Sequence, residues 1–155
     1  MVFFLLCAIL VSMLLFLVTL GAFSLSIAAK VLVDHFLSGR LAILGALVGF
    51  ERSVNAGVAF GITFPGYWQQ ILVITALLII VILAVRAKDA TLQRVAFGLI
   101  LGGAFANIAD RLRDGLVTDF IQVGSFPIFN VADSCITIGV VLLLIDTLLL
   151  ERQRR

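Results

Sequence analysis

Residues 67–86 read YWQQILVITALLIIVILAVR. No charge interrupts the run between Ile71 and Val85. At a helical rise of about 1.5 Å per residue, a stretch of this length reaches across a hydrocarbon core of about 30 Å. Tyr67 and Trp68 stand at one end as interface anchors, and Arg86 with Lys88 stand at the other. This is the pattern of a membrane-spanning helix, and the remaining sequence agrees with it. Of 155 residues, 63% are apolar and only 13% charged, where a soluble domain carries about a quarter charged. The mean hydropathy is +1.25. Such a chain cannot bury its apolar surface in one small aqueous core, and it is far too apolar to be disordered.

Working outward, three further spans can be placed. Residues 1–29 carry no charge and are closed by Lys30. Residues 92–109 form a shorter run, with Arg94 near enough to its start to snorkel toward headgroups. Residues 130–150 form the last, and its acids Asp133 and Asp146 are about 20 Å apart at helical rise, one near each membrane face. The expected spans are therefore about 5–29, 67–86, 92–109 and 130–150, in one domain covering 1–155. The start lacks a basic region, so no cleavable leader is expected. An even number of spans puts both termini on one side. That side would hold Arg86, Lys88, Arg94, Arg152, Arg154 and Arg155 in a short loop and a tail, so the termini are expected in the cytoplasm.

The two long connections then face outward. Residues 41–50 are apolar but too short to span, and read as strand or interfacial structure. Residues 117–123 are a β-favouring run that ends at Gly124, with Pro127 beyond. The fold class expected is an all-α integral membrane protein with four transmembrane helices and a small extracytoplasmic β-structured part.

Eleven basic residues against nine acidic ones give a net charge of +2, too little for a nucleic-acid footprint. Cys7 and Cys135 lie far apart in apolar stretches, and His35 is the only histidine. Neither a disulfide framework nor a metal cluster is expected, and no cofactor is called for. Lys30 with Ser24, Ser26 or Ser53 could suggest a Ser–Lys nucleophile, but a lysine closing an apolar helix reads first as a snorkelling anchor. Asp146 and Glu151 beside Arg152 read as a solvated helix end.

Polar and ionisable residues at membrane depth are functional candidates, and here they gather on the outer side: Asn55, Asn107, Asp110, Arg111, Asp119, Asn130 and Asp133. Between Asp119 and Asp133 the chain can reverse at Gly124 and Pro127 and bring the two carboxylates together. Two such groups in contact cannot both ionise cheaply, so one keeps a proton; the ionised one can activate water while the protonated one supports a carbonyl oxygen. Two plainer readings compete. Asn130 fits a helix N-cap with Asp133 at N3, where a negative charge suits the dipole, and Asp119 could be a solvated loop charge. Asn107 and Arg111, four apart, share a helix face. Asp110 and Arg111 could instead form an internal clamp. Gly98, Gly102 and Ala106 recur every four residues, a spacing that lets membrane helices approach closely. In Asn55-Ala-Gly-Val-Ala-Phe-Gly61 the glycines, Gly57 first, would allow a tight turn or a close backbone approach, and Asn55 could donate to a bound peptide.

Four stretches taken in order carry a resemblance: Asn55-Ala-Gly-Val-Ala-Phe-Gly61, Gly102-Gly-Ala-Phe-Ala-Asn-Ile-Ala-Asp-Arg111, Val117-Thr-Asp-Phe120 and Phe129-Asn-Val-Ala-Asp-Ser134. Together they resemble the motifs of lipoprotein signal peptidase, the type II signal peptidase of bacteria. The resemblance implies an intramembrane aspartyl endopeptidase that cuts a prolipoprotein before its diacylglyceryl-modified cysteine. It implies Asp119 and Asp133 as the catalytic pair, with Asn55, Gly57, Asn107, Asp110, Arg111, Asn130 and Lys30 around them and no metal. It also implies a multi-pass protein of the bacterial cytoplasmic (inner) membrane, its site near the extracytoplasmic face and its β-structure a cradle. Its partners would be prolipoprotein substrates and membrane lipid, and a monomer is expected. The sequence departs from the family in having Ser26 where an aspartate commonly precedes the lysine, and Ala106 where a glycine precedes the asparagine. The competing class is a small four-helix membrane transporter or packing protein, which would place an ionisable residue or a broken helix near mid-bilayer.

Overall fold

The computed structural model describes the backbone of residues 2–57, 64–65, 67–87 and 91–154, and side chains where these fall within 13–149. Residues 58–61 of the Asn55 motif and Lys88 lie outside the described residues, as do the side chains of Cys7 and of the tail arginines. The described elements are α1 (Val2–Phe36), β1 (Leu41–Leu44), β2 (Val48–Asn55), α2 (Trp68–Arg86), α3 (Thr91–Asp114), β3 (Val117–Val123) and α4 (Val131–Arg154). Each helix holds a stretch long and apolar enough to cross a membrane: Met13–Phe36, Trp68–Arg86, Thr91–Asp114 and Val131–Leu149. The chain is a multi-pass membrane protein. Many of its leucines and isoleucines, among them Leu25, Ile74, Leu78 and Leu144, are exposed, as they are when lipid rather than water is the solvent.

Helix α3 is the axis of the bundle, and small residues let its neighbours approach on two sides. A Cβ added at Gly98 would lie 2.8 Å from the Val18 side chain, and one at Gly102 would lie 2.6 Å from the Ala22 Cβ. The pairing of 18 with 98 and 22 with 102 means that α1 and α3 run parallel. On the other side, Gly103 abuts the Ala132 carbonyl and Ile136, while Gly139 abuts Ala96 and Ile100, so α4 runs antiparallel. Ala84 of α2 packs with Phe97 and Leu101 of α3. The four-residue spacing of Gly98, Gly102 and Ala106 therefore does what it suggests.

Two basic residues behave differently from anchors. Helix α1 does not stop at Lys30 but runs on to Phe36, and the lysine turns inward and is buried. Arg94 also turns inward and is buried, its guanidinium donating to the carbonyls of Ala84 and Ala87 at the end of α2. That satisfies carbonyls which a helix C-terminus leaves open. Asp146 is half-buried and accepts from Gln93 Nε2 at 2.7 Å.

At one end of the bundle the strands form an antiparallel sheet in the order β1-β2-β3. Gly45, at φ 54°, makes the tight turn between β1 and β2. The register pairs Ser53 with Asp119 and Asn55 with Val117; side chains alternate across a strand, so Asn55 and Asp119 fall on one face. Strand β3 ends at Gly124, at φ 55°, and the chain doubles back. Phe129 then exchanges backbone hydrogen bonds with Ile121 at 2.7 and 3.2 Å, which brings Asn130 and the start of α4 against β3.

Candidate active site

Lys30, Asn55, Asn107, Asp110, Asp119, Asn130 and Asp133 converge at the sheet end of the bundle, and the local folding rules explain each placement. Asn130 precedes α4, and its Oδ1 accepts from the backbone N–H of Asp133 at 3.0 Å. Asp133 Oδ2 accepts in return from the backbone N–H of Asn130 at 3.2 Å. This reciprocal pair is a capping box. The N-cap reading of Asn130 thus holds, and so does the convergence of the two aspartates, because the same Asn130 donates from Nδ2 to Asp119 Oδ1 at 2.7 Å.

The remaining carboxylate oxygens are also occupied. Asn55 Nδ2 donates to Asp119 Oδ2 at 3.1 Å, and Asn107 Nδ2 donates to Asp133 Oδ1 at 2.8 Å. Each aspartate thus accepts on both oxygens, and the two are joined through amide side chains. Asp119 is no solvated loop charge: it is only 3% exposed. Burial pushes its carboxyl above the ordinary carboxylate value. The Asn55 hydrogen bond opposes this, the charge of Asp133 reinforces it, and the Asn130 hydrogen bond and the Lys30 charge oppose it more weakly.

Asn55 spends one N–H of its amide on Asp119. Its Oδ1 accepts from the Gly57 N–H at 2.8 Å, an Asx turn that aims the Gly57 carbonyl at Arg111. Arg111 donates to that carbonyl at 2.6 Å, while its Nε, although buried, has no hydrogen-bond partner among the described residues. Asp110 does not serve as a clamp for Arg111. It is turned to Lys30, whose Nζ lies 3.1 Å from Asp110 Oδ2, and to the backbone N–H of Thr118 at 2.7 Å. Lys30 Nζ also donates to Asn107 Oδ1 at 3.1 Å, so it is no snorkelling anchor, and its described partners are Asp110 and Asn107 rather than Ser24, Ser26 or Ser53.

Sequence reasoning missed Gln69. It is buried in the first turn of α2 and donates to the Ala56 carbonyl at 2.5 Å, holding the segment between Asn55 and Gly57 in place. The available signal was an amide at the head of an otherwise apolar helix.

A cavity of about 560 Å³ opens on this network. Asn55, Asn107, Arg111, Asp119 and Asp133 line its polar end, and Phe126, Ile128, Ile136 and Ile138 line the rest. The arrangement suits a largely apolar extended ligand whose one polar segment lies against two carboxyls. Among the described residues no cluster of three His, Cys, Asp or Glu could hold a metal ion.

The model of the family described as signal peptidase (SPase) II matches residues 13–149. A lipoprotein signal peptidase of Shouchella clausii is 40% identical over 122 residues, covering 77% of this chain and 81% of that protein. One from Acinetobacter baylyi is 44% identical over 110 residues, covering 64% of this chain and 62% of that protein. One from Dehalococcoides mccartyi is 43% identical over 98 residues, 59% of this chain and 61% of that protein. In the last two cases the match spans a little under two thirds of the relative. Among solved structures, a bacterial membrane enzyme determined by the in meso method at 2.3 Å resolution superposes with a TM-score of 0.79 at 27% identity, over 91% of each chain. A second, at 1.9 Å resolution, gives a TM-score of 0.76 at 29% identity, over 86% of this chain and 92% of the other.

Proposed function

This chain belongs to the signal peptidase II family, and from that premise we propose that it removes signal peptides from bacterial prolipoproteins as an intramembrane aspartyl endopeptidase. The observation that carries the aspartyl mechanism is the joining of Asp119 and Asp133 through Asn130 and Asn107 beside one cavity. Two carboxyls, Asp119 buried and Asp133 half-buried, tied into one network favour a shared proton. Asp119, whose burial favours the neutral form, holds that proton, and Asp133 is the base.

In the proposed reaction Asp133 takes a proton from water as the oxygen attacks the scissile carbonyl carbon. Asp119 gives its proton to the carbonyl oxygen, which stabilises the tetrahedral intermediate. Collapse re-forms the carbonyl as a hydroxyl proton returns to Asp119, the C–N bond breaks, and the proton held by Asp133 leaves with the amine. The products are a free signal peptide carboxyl and a new N-terminal cysteine. Arg111, with its open Nε and its anchor on Gly57, offers a donor to a peptide carbonyl and so positions the substrate.

The substrate is a prolipoprotein cut just before a diacylglyceryl-modified cysteine. The apolar lining of Phe126, Ile128, Ile136 and Ile138 supports this reading, since lipid chains would hold the substrate in the bilayer and deliver the scissile bond to the polar end. The setting is the cytoplasmic (inner) membrane, with both termini inside and the sheet outside, and the working unit is a monomer of a single domain. The gathering of polar groups at one bundle end, rather than at mid-span, supports peptidase over transporter. The test is cleavage of a diacylglyceryl-modified prolipoprotein by the purified protein, beside the unmodified form and beside Asp119→Asn and Asp133→Asn. Cleavage of the modified form alone, lost in both variants, is expected; full turnover in either variant removes that aspartate from the mechanism.

A further inference from the structure

Apart from the Asn130 backbone N–H on Asp133 Oδ2, every described hydrogen-bond donor to the two aspartates is an asparagine side chain, and a side-chain amide can present either end. An asparagine turned over would offer its oxygen, not its N–H, to a carboxyl, and so would favour the protonated rather than the ionised form. Something must fix the orientation. Asn130 is fixed by its cap, since its Oδ1 must accept from the Asp133 N–H. Asn107 has no backbone partner of that kind among its described contacts, yet it is the residue that donates to Asp133 Oδ1.

We propose that Lys30 is a positioning residue which holds Asn107 in its donating orientation toward Asp133. An ammonium has three N–H groups and no acceptor. Lying 3.1 Å from Asn107 Oδ1, it admits the oxygen of that amide and excludes its NH2. The Asn107 Nδ2 is thereby turned to Asp133, and its Oδ1 also accepts from Asn130 Nδ2 at 3.2 Å, which links both amides to one cation. Lys30 is buried with only 4% exposure, and Asp110 supplies its counter-charge. Ser26, one turn back on the same face and fully buried, is engaged by its own helix and adds no charge. The departure at Ser26 therefore leaves the lysine with one carboxylate partner and free to serve the amide.

The inference rests on the aspartyl reading above, and the experiment separates the two. The charged groups facing Asn107 are Lys30 from α1, Asp110 and Arg111 from α3, Asp119 from β3 and Asp133 from α4. Cleavage of a diacylglyceryl-modified prolipoprotein is measured against pH for Lys30→Met, Lys30→Arg, Asn107→Ala and the double variant Lys30→Met/Asn107→Ala. Lys30→Met should lower kcat about tenfold or more with little change in KM and move the acid limb to higher pH, whereas Lys30→Arg, also a pure donor, should keep most of the activity. In the Asn107→Ala background the same lysine change should lower kcat by no more than about twofold, because its target is gone. Equal losses in both backgrounds, or an unchanged profile in Lys30→Met, would overturn the inference. Lys30→Met leaves Asp110 as an unpaired buried charge, so if that variant does not insert, the cycle is run with Asp110→Asn throughout and read by the same two criteria. Loss of the aspartyl reading shows separately, as turnover that survives Asp119→Asn and Asp133→Asn.

Discussion

Asp133 and Asn130 cap one another: each backbone N–H donates to the other's side chain, at 3.0 and 3.2 Å. The contact that starts α4 is thus also the contact that aims a carboxylate, and it leaves Asn130 Nδ2 free to reach Asp119 at 2.7 Å. Helix formation and site assembly are one event here, so stability and activity can be separated by choosing which half of Asn130 to remove.

Asn130→Ala should lose both halves, with about 1 kcal/mol of stability lost through the cap and most of the activity with it. Asn130→Ser restores an acceptor for the Asp133 N–H but cannot reach Asp119. Its unfolding temperature in detergent should return close to that of the parent while cleavage stays low. Equal recovery of both properties would mean that the link to Asp119 is not needed.

Asp119→Asn and Asp133→Asn should each reduce cleavage by at least about a thousandfold, in keeping with loss of a general acid or base. Both should remain inserted. Asp146→Asn should cleave nearly as the parent does, because an asparagine oxygen can still accept from Gln93. A cleavage assay normalised to folded protein distinguishes the three.

The spans and the strands were legible because their signals are local: about 20 apolar residues for a helix that crosses lipid, and a β-favouring run stopped by Gly124 for β3. The convergence of Asp119 and Asp133 could be argued from the chain reversal between them. The inward turn of Lys30 and Arg94 could not, since a basic residue beside an apolar run has the same local pattern whether it snorkels or folds in. For Arg94 the deciding partners are the carbonyls at the end of α2; for Lys30 it is the parallel packing of α1 on α3. Val18, Ala22, Ser26 and Lys30 recur every four residues, as do Gly98, Gly102, Ala106 and Asp110, and the contacts of the first, second and last pairs set lysine against aspartate. The engagement of Asn55 with Asp119 depends likewise on strand register, which a bulge between Phe50 and Ser53 hides from any alternating pattern.

Gly102→Ala should destabilise the protein by about 1–3 kcal/mol, the usual cost of forcing a methyl group into a packed interior, because a Cβ there meets Ala22 and the Thr19 carbonyl. Gly21→Ala is the control. It lies within α1 with nothing within 4 Å, and alanine is the better helix former, so its unfolding temperature should be unchanged or higher. Similar losses in the two variants would show that helix contact does not explain the glycines of α3.

The pH dependence of cleavage should be bell-shaped and should belong to the pair rather than to either residue. Burial raises the Asp119 carboxyl, and the charge of Asp133 raises it further, so the second proton leaves only above the ordinary carboxylate range. At low pH both groups are protonated and no base remains; as pH rises the first ionisation supplies the base and the rate climbs. Above the second ionisation the proton for the carbonyl oxygen is gone, and the rate falls again. Arg111 is the nearby cation that lines the cavity, and a positive charge favours the ionised form of every carboxyl it faces. Arg111→Gln removes that charge, so both limbs should move to higher pH as the maximal rate drops. The measurement is kcat/KM for a diacylglyceryl-modified prolipoprotein across the acidic and neutral range, with substrate binding followed separately. A rate that stays flat while binding is constant would mean that the two carboxyls share no proton.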